Sequence, residues 1–108
     1  MADAKLRVLE TFRSLSADSP NTYMWFAIPG GMISGKPAKD YADWIKGTTS
    51  RDLELDKALT EDENSKEKRF ILLKDARLRQ GGVELVVGAA VVDGFEVAAW
   101  GYRTPPAK

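Results

Sequence analysis

The chain has 108 residues, which is enough for one domain, and its 16 basic and 16 acidic side chains leave no net charge. A neutral chain has no overall field that favours duplex DNA or an anionic membrane surface, so we expect neither partner. The absence of cysteine and histidine excludes disulfides and removes the usual parts of zinc sites and serine triads.

The amino terminus has no apolar run of signal-peptide length, and no segment approaches the roughly 20 apolar residues of a membrane-spanning helix. We therefore expect a cytoplasmic protein. The first predicted element is an amphipathic helix over residues 3–16, capped by Asp3. Its apolar side carries Leu6, Leu9, Phe12 and Leu15, with Val8 beside them. Residues 16–21 are polar and are expected to form a linker.

Residues 22–28 (TYMWFAI) are aromatic and apolar, which predicts a strand buried on both faces or at an interface. Trp25 and Phe26 should point to opposite faces, so one ring can lie in the core while the other meets a partner. A turn at residues 29–31 then leads into a second strand at residues 32–36, so the two strands form a hairpin. The sequence of residues 30–36 (GGMISGK) matches most of a phosphate-binding loop, but Pro37 stands where that loop requires Ser or Thr.

The middle of the chain is less regular. Residues 38–45 fit either a helical turn or a continuing strand, while the alternation of Leu53 and Leu55 with acidic neighbours predicts a short half-buried strand. Residues 61–69 have no apolar side chain and are expected to be a solvated loop. The acidic residues between 40 and 56 lack the spacing of a calcium loop, and we interpret them as a solvated face.

The last third predicts three strands. On the first, Phe70, Leu72, Ala76 and Leu78 are expected to share one face, with Asp75, Arg77 and Arg79 on the other. A turn at residues 80–82 leads to a strand at 83–92, which is weakened at Gly88. Asp93 and Gly94 indicate a second hairpin turn before a last strand at 95–102, and residues 104–108 form a tail.

In this order, the segments resemble the Sm-like (LSm) family, which includes bacterial Hfq. Residues 31–36 (GMISGK) are similar to the first Sm motif, residues 69–76 (RFILLKDA) to the third strand, and residues 90–100 (AVVDGFEVAAW) to the second Sm motif. The resemblance implies a small, mainly β (α+β) fold. Its single domain, residues 1–108, would have the helix at 3–16 and a bent five-stranded antiparallel barrel at 22–103. A charged insertion occupies about 46–68.

The family resemblance also implies a homo-oligomeric ring, in which the fourth strand of one subunit pairs with the fifth strand of the next. The chain supplies an independent reason for assembly, because its last two strands are apolar on both faces and an exposed edge of that kind must be covered. The predicted interface residues are Val86, Val87, Ala90, Val92, Val97 and Ala99.

Two functions follow as hypotheses. The first is weak, non-catalytic binding of single-stranded RNA, in which Tyr41 and Trp44 stack on bases. Nearby lysines would contact the RNA phosphate backbone, and the turn at residues 93–94 would line the pore of the ring. This hypothesis assigns the RNA site to Lys36, Lys39, Tyr41, Trp44, Lys46, Asp93 and Gly94. The alternative is a small barrel that acts as a protein-interaction or assembly module, such as a phage-encoded or accessory protein. No convergent set of catalytic residue types is present, so we expect no enzyme, no metal and no cofactor.

Overall fold

The computed structural model describes residues 4–46 and 53–103 and shows a small α+β fold. The predicted cap at Asp3, the tail at 104–108 and part of the insertion, 47–52, lie outside the described residues. In chain order the elements are α1 (Ala4–Asp18), β1 (Tyr23–Ile28), β2 (Gly31–Pro37), α2 (Tyr41–Ile45), α3 (Leu53–Glu63), β3 (Phe70–Gln80), β4 (Val83–Asp93), a 3₁₀ turn (Gly94–Glu96) and β5 (Ala99–Arg103).

All five strands join one antiparallel sheet in the order β4-β3-β2-β1-β5. The predicted helix followed by five antiparallel strands is therefore confirmed, although the sheet is not closed into a barrel. Two hairpin turns were also predicted correctly. Gly30 has a φ of +85°, and Gly81 and Gly82 have φ values of +54° and +82°, a backbone region that glycine adopts without steric cost.

The main core lies between α1 and one face of the sheet. Met24 and Phe26 of β1 are fully buried there, and Leu9 of α1 packs with them. Phe26 is thus the core ring, and Trp25 on the other face is half-buried. The rest of the cluster consists of Ile33, Ile71, Leu73, Ala76, Val92 and Val97.

The predicted apolar side of α1 is partly wrong. Leu6 and Leu9 are buried, but Val8 and Leu15 are 47% and 61% exposed. The helix also continues to Asp18, which places Ser16 inside it rather than in a linker. The Ser16 side chain is buried and donates a hydrogen bond to the carbonyl oxygen of Thr22 at 2.7 Å.

Irregularities in β3 and β4 shift the pairing between the two strands. The register between these strands shifts on both sides of Ala76, where Asp75 has a φ of +52° and Gly88, opposite Ala76, has a φ of +82°. The weak point predicted at Gly88 is therefore confirmed. Because the bulge switches the side-chain alternation, Ile71 and Leu73 share the core face with Ala76, and the prediction that Phe70 and Leu72 do so is wrong.

The insertion contains a helix rather than the predicted strand. Residues 53–63 form α3, in which Leu55 and Leu59 are spaced by one helical turn. Leu59 is buried in a second cluster with Ala38 and Trp44, whereas Leu53 is 84% exposed. The loop predicted from residue 61 therefore begins only after α3 ends at residue 63.

The predicted hairpin at residues 93–94 is also wrong. Asp93 caps the 3₁₀ turn, accepting a hydrogen bond from the backbone N–H of Phe95 at 3.0 Å. The chain then crosses to the opposite edge of the sheet, where β5 begins at Ala99 and pairs with β1. As a result, β4 and β5 are not neighbours but form the two edges.

Candidate functional site

The three lysines assigned to RNA binding lie around one open cavity. Lys36, Lys39 and Lys46 line it together with Lys74, and the cavity volume is about 620 Å³. The same cavity is lined by three carboxylates, those of Asp18, Asp40 and Asp43. Four positive and three negative side chains nearly cancel, so the cavity has little net attraction for a phosphate backbone.

The Lys36 side chain has a structural role, because its ammonium group is used in hydrogen bonds to the backbone. Its ammonium group donates hydrogen bonds to the carbonyl oxygens of Ser16, Ser19 and Thr22, at 3.2 Å for Thr22. These carbonyls lie at and just beyond the carboxyl end of α1, where a cation is favourable. Burial, followed by the nearby positive charge of Lys74, lowers the pKa of Lys36. This lysine therefore anchors the helix end to β2.

Asp43 binds Lys74, the lysine of the cavity that was not in the predicted set. It accepts hydrogen bonds from Lys74 Nζ at 2.9 Å and from the backbone N–H of Lys39 at 3.1 Å. These two hydrogen bonds lower the pKa of Asp43. The carboxylate thus already neutralises the side chain that faces it, and Lys39 and Lys46 remain as the exposed cations of the predicted set.

Trp44, which the sequence assigned to base stacking, is buried. Its side chain is 4% exposed and packs on Leu59 and Ala38. The indole N–H donates a hydrogen bond to the carbonyl oxygen of Leu73 at 3.1 Å. A ring enclosed in this way presents no free face to a base, so the assignment of Trp44 as a stacking residue is corrected.

Tyr41 belongs to the same packed unit as Trp44. The two ring centroids are 6.0 Å apart, and the Tyr41 hydroxyl hydrogen-bonds to Asp56 of α3. The backbone N–H of Tyr41 donates to the side chain of Glu63 at 3.1 Å. The tyrosine therefore ties α2 to both ends of the insertion helix.

Asp93 and Gly94 are not among the residues that line the lysine cavity. Asp93 makes an ion pair with Arg69 at 2.7 Å, and the hydrogen bond from Arg69 is the main reason that the pKa of Asp93 is lowered. Gly94 is buried under α1, where an added Cβ would lie 2.8 Å from Leu6 Cδ2. Both residues therefore have structural roles at the junction with α1.

The predicted interface residues divide into two groups. Val86 and Val87 on β4 are 79% and 44% exposed, and Ala99 is exposed on β5. In contrast, Val92 and Val97 are core residues, and Ala90 is half-buried against the core. Of the predicted interface residues, only the first group is exposed.

A second open cavity, of about 340 Å³, lies on the sheet face opposite α1 and was not predicted. Trp25, Arg77, Arg79 and Arg103 contribute to it, with Glu84 as its acidic residue. The sequence contained one signal, the alternation of Arg77 and Arg79 on β3. Adding Trp25 and Arg103 requires the strand order, because these residues come from β1 and β5.

Within residues 4–46 and 53–103, no group of three or more acidic side chains is arranged to hold a metal ion. In the same described segments, no helix combines the length and apolarity needed to cross a membrane. No protein-family model, curated protein or solved structure matches the chain. Fold and site together define a small α+β protein with an open antiparallel sheet, and the Sm-like resemblance stays a prediction.

Proposed function

We propose that this protein is a non-catalytic module that assembles with copies of itself through the two edge strands of its sheet, β4 and β5. The observation that carries the proposal is the exposure of apolar side chains along the edge strand β4. Five of them are exposed by 37% or more: Val83, Leu85, Val86, Val87 and Val91. Exposed apolar residues on an edge strand favour pairing with another chain.

The opposite edge supplies a complementary surface. β5 is the other terminal strand of the sheet, and Ala99 at its start is exposed. An antiparallel pairing of β4 from one copy with β5 from the next would cover both edges at once. Because the two paired surfaces differ, repetition generates either a closed ring or an open filament. A ring of copies is the arrangement that the Sm-like resemblance implies.

Single-stranded RNA remains a predicted partner, but the residues assigned to it give limited support. Lys36 anchors α1 and Trp44 is buried, so only the exposed Lys39 and Lys46 retain the proposed contact with a phosphate backbone. Assembly needs no rearrangement of the fold, and for that reason we place it first.

The test is the solution mass of the wild-type chain and of the double variant Leu85→Lys/Val87→Lys, measured by light scattering at micromolar concentration. Both side chains are exposed, so the variant should fold. We expect the wild type to exceed the 11.9 kDa monomer mass and the variant to be monomeric.

A matched control is Val8→Lys/Leu53→Lys, which replaces two exposed apolar residues on α1 and α3 with the same charges. This control should assemble like the wild type. A strictly monomeric wild type, or equal loss of assembly in both double variants, would contradict the proposal.

A further inference from the structure

The sheet face opposite α1 brings together side chains that are distant in sequence. Trp25 pairs in register with Ser34, and Ser34 pairs with Arg77, which places their side chains in one row across β1, β2 and β3. In the next row, Met32 of β2 pairs with Arg79 of β3. These residues form one wall of the 340 Å³ cavity.

The cavity carries an excess of positive charge in a chain that has no net charge. Its lining contains the three guanidinium groups of Arg77, Arg79 and Arg103 but only one carboxylate, that of Glu84. Arg103 is positioned by a hydrogen bond from its Nη1 to the hydroxyl oxygen of Ser34 at 2.9 Å. Three cations against one anion leave a local surplus of two positive charges.

Glu84 shows that the arginines can share one oxyanion. Arg77 Nη1 lies 3.2 Å from Oε1 of this carboxylate, and Arg79 Nη2 lies 3.1 Å from Oε2. All three side chains are more than a third exposed, and ion pairs with that exposure contribute little to stability. An incoming anion could therefore compete with Glu84 at little cost to the fold.

Trp25 supplies an aromatic surface beside these cations. An added Cβ at Gly101 would lie 2.8 Å from Trp25 Nε1 and 3.1 Å from Cε2. The indole therefore rests against the bare backbone of β5, which holds it in place. Trp25 and Met32 also line the cavity, so the ring and its apolar neighbour face the same space as the arginines.

We infer that this face binds a nucleotide, with its base against Trp25 and its phosphate on Arg77 and Arg79. Guanidinium groups match the oxygen geometry of phosphate, and bases stack on aromatic rings without sequence preference. The cavity is at the small end of ligand sites, which suits one nucleotide unit. That unit can be a free mononucleotide or part of a single nucleic-acid strand.

The inference does not depend on assembly, because all the lining residues belong to one chain. Leu85 pairs in register with Leu78 next to the pair of Glu84 with Arg79, so Leu85 points to the other face of the sheet, and neither Leu85 nor Val87 lines the cavity. The Leu85→Lys/Val87→Lys chain should therefore retain nucleotide binding even when it no longer assembles. Loss of assembly and loss of binding are thus separate outcomes.

The experiment measures binding of a labelled octaribonucleotide by fluorescence anisotropy, and binding of AMP by calorimetry, to the full chain at low salt. We expect Arg77→Gln/Arg79→Gln and Trp25→Leu each to weaken binding by about tenfold. Glu84→Gln should strengthen it, because it removes the competing carboxylate. Arg7→Gln, an exposed change on α1, is the control and should bind like the wild type.

The two sources of the nucleotide are distinguished by affinity and salt dependence. Tighter binding of the octamer with a steep salt dependence would support a nucleic-acid strand, and equal binding of AMP would support a free nucleotide. If the folded wild type binds neither probe, or if Arg77→Gln/Arg79→Gln binds both normally, the inference is overturned. It is also overturned if a poly-glutamate peptide binds more tightly than the octamer and Trp25→Leu leaves that binding unchanged.

Discussion

Trp44 contributes to stability through both its volume and its ring nitrogen. The indole N–H donates to the Leu73 carbonyl oxygen. Leu73 lies opposite Pro37 in the sheet, and proline has no N–H to donate to that carbonyl. We predict that Trp44→Ala lowers the free energy of unfolding by about 3–5 kcal/mol, the usual cost of removing a buried large aromatic side chain. Urea denaturation measures this change.

Trp44→Phe is the matched comparison, because it keeps most of the volume but leaves the Leu73 carbonyl without the indole donor. Its cost should be about 1–3 kcal/mol. A loss below about 0.5 kcal/mol for Trp44→Ala, the range of ordinary surface changes, would contradict the buried position of the ring.

Asp93 makes stability depend on pH. The hydrogen bond from Arg69 lowers the pKa of Asp93 in the folded state, whereas an aspartate in an unfolded chain has a pKa of about 3.9. The unfolded chain therefore binds a proton first as the pH falls. The stabilisation is fully present above about pH 4 and is lost as the pH drops through the lowered folded-state pKa.

We predict that Asp93→Asn makes the fall in unfolding free energy below about pH 4 less steep. Asparagine still accepts the hydrogen bond from the Phe95 N–H, because it is as good a capping residue as aspartate. Asp75→Asn is the control, since it makes the same charge change at an exposed residue whose φ of +52° asparagine tolerates. Identical slopes for Asp93→Asn and the wild type, from urea titrations between pH 2 and 6, would contradict this role for the ion pair.

At the scale of elements, the sequence predicted the parts whose signals are local. Glycine pairs marked the turns at 29–31 and 80–82, where Gly30, Gly81 and Gly82 have positive φ, and dense apolar runs marked the strands on either side. The insertion helix α3 was missed because Leu53 and Leu55, separated by one residue, match a strand pattern, whereas the helical signal is the wider spacing of Leu55 and Leu59. Its burial depends on Leu59 meeting Trp44, a contact that local sequence does not contain.

The hairpin at Asp93 and Gly94 failed for a related reason. The dipeptide favours a tight turn locally, but β4 already pairs with β3, and β5 finds β1 as its partner across the sheet. The missed cavity required that same strand order, because Trp25, Arg77 and Arg103 become neighbours only through the register of β1, β2, β3 and β5. Residue types were visible in the sequence, but their convergence was not.

At the scale of the whole molecule, the positions of the two edges decide what an assembly can look like. Because β4 and β5 terminate opposite sides of one sheet, a β4-to-β5 contact joins different surfaces of two copies. Such a head-to-tail contact leaves each end copy with one unused edge until a ring closes. A β4-to-β4 contact would instead use the same surface twice and stop at a dimer.

Mixing two differently blocked chains distinguishes these arrangements. The first chain is Leu85→Lys/Val87→Lys, which blocks β4 but keeps β5 intact. The second is Ala98→Lys/Ala99→Lys, which adds charges at the exposed first residue of β5 and at the exposed residue before it and keeps β4 intact. Charged side chains on an edge strand oppose pairing, so each chain alone should be monomeric.

We predict that an equimolar mixture of the two chains forms a 1:1 complex with twice the 11.9 kDa chain mass. The intact β5 of the first chain pairs with the intact β4 of the second, and the two blocked edges prevent further growth. Light scattering with one chain labelled measures both mass and stoichiometry. If the β5-blocked chain alone already forms dimers, β4 pairs with β4, and the head-to-tail ring is the wrong assembly. A mixture that stays monomeric, while the wild type assembles, would show that copies associate through a surface other than these two edges.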